Sequence, residues 1–273
     1  MVKRELTFFL PKIRKMVYNV CEGDDFMYII FDLDDTVLYR GNMSERMYNT
    51  LKRCQKQGHK IIFNTARSLP YSLKLIDSIQ PDYAILNGGA LIVDENKNVL
   101  FSNVVEKELV NKVVKELLPN VINFSVESTE GMYSSDPNYK GQNSRHFDFN
   151  KEFDLDCYKL LPQCNDFDLI ENISNKYDLE FTHYLGGNWH RLTKKGSTKW
   201  TGVLEFLKLV NGNISETICF GDDLGDLEMI QKAGKGVAMA NSVPAVLENA
   251  PYVTLSVLED GVAVYLEKHV LGE

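Results

Sequence analysis

Three carboxylates and a hydroxyl directly follow an apolar run in the stretch YIIFDLDDTVL, Tyr28 to Leu38. Tyr28 to Phe31 reads as a strand buried on both faces, the kind found in a parallel sheet covered by helices. Asp32 and Asp34 then stand at its carboxyl end, the edge at which open α/β sheets bind ligands. Two positions apart on extended chain, their side chains point to the same side. Like charges held so close repel unless a cation offsets them, so the stretch predicts a divalent metal that prefers oxygen, with Mg²⁺ the first expectation. Three more groups occupy comparable places. Thr65, Ala66 and Arg67 follow a second apolar run, Lys199 falls in the first turn of a predicted helix, and Asp222 and Asp226 follow the run Thr217 to Phe220. Singly, each has an ordinary explanation as a turn, a helix cap, a solvated charge or a loop of turn formers. Together, each at a strand end or a helix start, they point to one site.

The elements that must position these groups alternate. After the Asp strand, Ser44 is a predicted N-cap for a helix with Met47, Tyr48, Leu51 and Cys54 along one side, closed by Gly58. Lys60 to Asn64 is a second strand, Ser68 and Pro70 start a helix that Pro81 stops, and Tyr83 to Leu86 is a third strand. Strand, helix, strand, helix, strand in that order predicts a doubly wound, mostly parallel sheet. From Ala90 the texture changes. Ala90 to Val93 and Val99 to Phe101 read as an antiparallel hairpin, followed by a helix near Lys107 to Leu117 and a strand at Val121 to Val126. Residues 130–150 read as a loop, then come a helix near Leu169 to Lys176 and strands at Leu179 to Tyr184 and Trp189 to Thr193. The α/β rhythm resumes with a helix from Thr198 to Val210. The expected organisation is an α/β core, residues 1–88 and 194–273, interrupted by a smaller α+β unit, 89–193, with residues 1–25 as an added arm.

Composition narrows the function classes. At 273 residues the chain can bury a sizeable core, and 44% hydrophobic with 25% charged residues is ordinary for a globular protein. A net charge of −8 argues against a general nucleic-acid binder. Five scattered cysteines without a Cys-x-x-Cys pair read as reduced thiols in a cytosolic compartment, with Cys219 a small buried hydrophobe. No uncharged stretch reaches the ~18 residues of a membrane span, so no membrane partner is expected.

The four groups resemble the motifs of the haloacid dehalogenase superfamily of aspartate-nucleophile phosphohydrolases: Asp-x-Asp-x-Thr, a strand-terminal Thr or Ser, a Lys, and Gly-Asp-x-x-x-Asp. The carboxyl half is similar to the Cof-like branch, subfamily IIB, in KGSTK (195–199), GDDLGDLEM (221–229), GVAMAN (236–241) and EDGV (259–262). The long insert looks like a type-two cap. Where that branch usually has Asn before the last Asp of the fourth motif, this chain has Gly225.

The resemblance implies that Asp32 is the nucleophile, forming an aspartyl-phosphate, and that Asp34 is the general acid and base. It implies Mg²⁺ held by Asp32, Asp34 through its carbonyl, and Asp222, with Asp226 and Asp223 supporting that set. Thr65, with Leu33, Ala66, Arg67, Lys199 and Asn241, would bind the substrate, and Lys199 would offset the charge on Asp32 and the phosphoryl group. Arg67, His190 and Arg191 are candidates to reach the leaving group. His190 and Arg191 adjoin on a strand, so at most one faces the cleft, and His190 reads better as a packing residue. The resulting expectation is a phosphatase of a small phosphorylated metabolite, such as a sugar phosphate. A phosphomutase with the same intermediate and a non-catalytic metal-binding sensor are the alternatives.

Overall fold

The computed structural model describes residues 26–139, 144–183 and 187–273. The expected amino-terminal arm and Gly186 lie outside them. The first sheet is built from the apolar runs. It contains β1 (Tyr28–Phe31), β2 (Lys60–Asn64), β3 (Tyr83–Leu86), β4 (Leu91–Asp94) and β5 (Val99–Ser102). The later strands β12 (Thr217–Gly221), β13 (Lys235–Ala238) and β14 (Tyr252–Val253) complete it, in the order β14-β13-β12-β1-β2-β3-β4-β5. Pairing is parallel from β14 to β3 and antiparallel for β4 and β5. β1 is therefore interior and buried on both sides. Ile29 and Phe31 pack in one hydrophobic cluster and Tyr28 and Ile30 in another, as alternation along a strand requires.

Helices cover both faces. On the Ile29 side lie α1 (Glu45–Lys56), α2 (Leu69–Ile79) and α8 (Gly261–His269), through Met47, Leu51, Ile76, Val262 and Leu266. On the Ile30 side lie α5 (Lys199–Val210) and α6 (Leu227–Lys232), through Trp200, Val203, Phe206 and Met229. The Ser44 hydroxyl caps α1 by accepting the Met47 amide at 3.0 Å. A short helix α7 (Pro244–Asn249) completes this layer beside β13.

Between β5 and α5 the chain forms a second, six-stranded sheet. It contains β6 (Asn123–Ser128), β7 (Gly131–Ser134), β8 (Arg145–His146), β9 (Cys157–Gln163), β10 (Leu179–His183) and β11 (His190–Lys194), in the order β10-β11-β9-β6-β7-β8. Helices α3 (Lys107–Leu117) and α4 (Phe167–Lys176) cover one face, where Val110, Val113, Ile170 and Ile173 meet Phe124, Val126, Leu160 and Leu192. The alternate residues of the same strands, Ser125, Glu127, Lys159, Arg191 and Thr193, share the opposite, polar face.

Two expectations change. The hairpin β4–β5, read as the opening of the inserted unit, instead extends the first sheet antiparallel to β3, so the change of sheet comes after Ser102. Residues 130–150, read as loop, contain β7 and β8, and β9 lies where no strand was expected. Among the described residues no helix is long and apolar enough to cross a membrane. The described cysteines are free and buried, and burial drives the Cys219 thiol upward, which suits a packing residue rather than a nucleophile.

Candidate active site

The carboxyl ends of β12, β1 and β2, adjacent in the sheet, bring the predicted groups together. The Asp32 amide donates to the Phe220 carbonyl at 3.1 Å, which locks the loop after β1 to the end of β12. Asp32 is 8% exposed, and carboxylate oxygens of Asp32, Asp222 and Asp226 lie within 4.8 Å of one another. Lys199, in the first turn of α5, places Nζ 2.9 Å from Asp32 Oδ1 and 2.6 Å from Asp226 Oδ1. Asp226 is fully buried, and its other oxygen accepts the amides of Asp222 and Asp223, each at 3.2 Å. Its carboxyl folds back over Gly221, where an added Cβ would come within 2.4 Å of it. Asp226 is thus spent on Lys199 and on the loop, while Asp32 and Asp222 complete the carboxylate cluster. Asp223 contributes its amide to Asp226 rather than a ligand.

Electrostatics mark the same pair. Burial pushes Asp32 up to about 6, against the pull of Lys199 and with the push of Asp226. Burial likewise raises Asp222 to about 7, although the Thr36 hydroxyl donates to it at 2.7 Å. Burial disfavours charge on Lys199, but Asp226 and Asp32 more than offset it and raise its pKa. Three crowded carboxylates facing one ammonium is a donor set that suits a hard divalent cation with oxygen ligands.

The loops after β1 and β2 carry the other groups. Arg67 holds Asp34 through two hydrogen bonds, Nε to Oδ2 at 2.8 Å and Nη2 to Oδ1 at 2.6 Å, so its guanidinium positions Asp34. Thr65 is buried, takes its place through a 2.9 Å bond from its amide to the Ile85 carbonyl, and accepts the Arg67 amide on Oγ1 at 3.2 Å. Leu33 is fully buried, and its carbonyl accepts the amides of Val37 and Leu38 to close the turn. Asp35 takes a left-handed φ of 54°, which Asp tolerates better than most residues. Asn241 donates to the Asp35 carbonyl at 2.8 Å and accepts the Val257 amide at 2.8 Å, so both ends of its amide pin this turn.

Several positions were not anticipated. Asn64 donates to the Lys199 carbonyl at 3.0 Å and so fixes the start of α5. From the second sheet, Lys159 Nζ reaches the Ala66 carbonyl at 2.7 Å while paired with Glu127 at 2.9 Å. Arg191 lies over Gly88, with Nη1 3.1 Å from where a Cβ would stand. His190 faces the other way: it is fully buried, one ring nitrogen meets the Cys164 carbonyl at 2.9 Å, and it packs on Phe167, Phe181 and His183. It is a packing residue, and Arg191 is the one of the two on the cleft side. A lysine in an otherwise apolar strand was the available signal for Lys159.

The family model of the haloacid dehalogenase-like hydrolases matches residues 29–266, which spans every group just described. The chain belongs to that family. Among relatives of this hydrolase, YkrA of Bacillus subtilis, which carries a phosphatase name, is 28% identical over 88% of this chain and 96% of its own. The 5-amino-6-(5-phospho-D-ribitylamino)uracil phosphatase YcsE of B. subtilis is 24% identical, over 92% of this chain and 98% of its own. The crystal structure of a haloacid dehalogenase-like hydrolase from Bacteroides thetaiotaomicron matches with a TM-score of 0.78 at 23% identity, over 89% of this chain and 99% of that one. A sugar phosphatase of subclass IIB matches with a TM-score of 0.73 at 20% identity, over 89% of this chain and 98% of that one. By family and by relatives spanning nearly its whole length, this haloacid dehalogenase-like hydrolase is a phosphatase of the Cof type.

Proposed function

We propose that the protein is a Mg²⁺-dependent phosphomonoester hydrolase that turns over a small phosphorylated metabolite through an aspartyl-phosphate on Asp32. The observation that carries this reading is the buried grouping of Asp32, Asp222 and Asp226 around Lys199, at the carboxyl edge of the sheet. In the first step an Asp32 oxygen attacks phosphorus, the ester P–O bond breaks, and the leaving alkoxide takes a proton from Asp34. In the second, Asp34 takes a proton from water as that water attacks phosphorus, the Asp32–phosphate bond breaks, and inorganic phosphate leaves. Lys199 keeps Asp32 ionised and offsets charge that builds on the phosphoryl oxygens, while the Thr65 hydroxyl and the Leu33 and Ala66 amides hold those oxygens. Asp32, Asp222 and the Asp34 carbonyl are the groups to hold Mg²⁺. When bound, the ion supplies Lewis-acid charge neutralisation to the phosphoryl group.

A phosphorylated sugar or polyol is the favoured substrate class. The solved neighbour of subclass IIB is a sugar phosphatase, and YcsE acts on a phosphorylated ribityl compound. The test is inorganic phosphate release from sugar phosphates, nucleotides and p-nitrophenyl phosphate, with Mg²⁺ and with chelator. Metal-dependent release is expected, and Asp32→Asn should abolish it. Undiminished release by that variant removes Asp32 as nucleophile, and isomer formation without phosphate would make the enzyme a mutase.

A further inference from the structure

The two cations on the polar face of the second sheet, Lys159 and Arg191, differ in how they are paired. Lys159 is neutralised by Glu127, and Arg67 by Asp34. Arg191 makes no ion pair among the described residues, and Glu180, the carboxylate that shares its face, accepts the Gly196 amide at 3.4 Å instead. Among the described residues its recorded partner is the Thr182 hydroxyl, which accepts from Nη2 at 3.0 Å, and its Nε is buried without a hydrogen-bond partner. Two positions along β11, on the same face, Thr193 is fully buried and its hydroxyl also lacks a partner. Buried donors left unpaired cost free energy, and a partly desolvated cation costs more, so this corner is organised for something that supplies acceptors and negative charge.

Its position relative to the chemistry is fixed by the first sheet. Asp32 follows β1 and Gly88 follows β3, two strands away, which at the usual spacing separates them by about 10 Å. Gly88 is joined to the phosphate-holding loop by its amide, which donates to the Thr65 carbonyl at 2.9 Å. Arg191 over Gly88 therefore faces the leaving-group side of the phosphoryl position, at the span of a short carbon skeleton. A neutral hydroxyl could pair Nε but would leave the guanidinium charge uncompensated, whereas an anionic oxygen pair satisfies both.

We propose that Arg191 is a specificity-determining residue that recognises a second anionic group, a carboxylate or a phosphate, on the leaving group of the ester. This rests on the phosphatase reading above. The probes are matched pairs: 3-phosphoglycerate against glycerol 3-phosphate for a carboxylate, and fructose 1,6-bisphosphate against fructose 6-phosphate for a second phosphate. At least one doubly anionic member should exceed its partner in kcat/KM by about tenfold or more, mainly through KM, and which pair shows it identifies the group. Arg191→Met should collapse that ratio towards one and Arg191→Lys should recover part of it. A wild-type ratio near one in both pairs, or a ratio that survives Arg191→Met, overturns the assignment. Hydrolysis of p-nitrophenyl phosphate reports the phosphatase reading separately. Calorimetric titration of the same pairs onto wild type and Arg191→Met reads the preference without turnover, so the assignment is decided even where no ester is cleaved.

Discussion

Lys199 is the residue on which the charge balance of the site turns. It is the ammonium among three carboxylates, in contact with two of them, and it holds Asp32 down against a burial that drives the carboxyl to about 6. In the proposed mechanism Asp32 attacks only when ionised, so activity should rise with pH through its pKa. Removing the ammonium in Lys199→Met leaves desolvation and Asp226, both of which raise Asp32, opposed by the weaker pull of the Leu33 amide. The variant should therefore lose about 10²- to 10³-fold in kcat, and the acidic limb of its kcat/KM profile should move to higher pH. An unmoved acidic limb would mean that Lys199 acts on the transition state and not on the ionisation of Asp32. Arg67 differs in kind: the sequence reading sent it towards the leaving group, yet its guanidinium is engaged bidentately with Asp34. Its contribution is to orient Asp34, the proposed general acid, a role that spacing alone does not reveal because it depends on how the loops after β1 and β2 curl towards one another.

At the scale of elements, Lys199 reaches Asp32 because α5 lies unusually close to the turn after β3. A Cβ on Gly202 would stand 2.6 Å from an Ile85 methyl and 2.8 Å from the Gly89 Cα, and one on Gly89 would collide with the Thr198 carbonyl. Gly89 also carries a φ of +103°, in the region that favours glycine. Gly202→Val should push α5 off the sheet, cost roughly 1–3 kcal/mol by overpacking, and lower kcat by displacing Lys199. Urea unfolding and steady-state kinetics on one preparation check both, and a stability loss with intact kcat would show that α5 can shift without moving its first turn. The same closeness explains what the sequence disclosed. The strands β1, β2, β3 and β12 were legible because each is a short apolar run ending in turn or polar residues; three of the four motif groups follow such ends, and the fourth, Lys199, opens α5. The strand β9 was not, because Lys159 and Pro162 break its apolar pattern. Lys159 is on the strand to reach Ala66, so the feature that hid the element is the one that serves the site. The pairing of β4 with β3 also escaped, since local alternation identifies a hairpin but does not say which sheet it extends.

Over the whole molecule, the hydrophobic clusters of the two sheets meet across a polar seam. The first sheet is covered on both faces, the second on one only, and the uncovered face carries Glu127, Lys159, Arg191 and Thr193 towards the loops that follow β2 and β3. The carboxylates at the edge of the first sheet are desolvated, and their raised pKa values are the consequence. Asp32 at about 6 and Asp222 at about 7 bind protons more tightly in the folded chain than at their ordinary 3.8. For these groups the folded state holds more protons than the unfolded one, so the metal-free protein loses their contribution to stability as pH rises from about 4 to about 7. A divalent cation held by these carboxylates, as proposed, would replace those protons, so the two would compete for the same oxygens. The stabilisation by Mg²⁺, read as the difference in thermal midpoint with Mg²⁺ and with chelator, should therefore be small near about pH 5 and grow to a plateau above about pH 7. Taking the difference at each pH cancels titrations elsewhere in the chain. Asp222→Asn should flatten the rise by removing both a titrating group and a ligand. A Mg²⁺ shift of constant size across this range would mean that the ion is held away from Asp32 and Asp222, and that the burial of these carboxylates serves the fold rather than a metal.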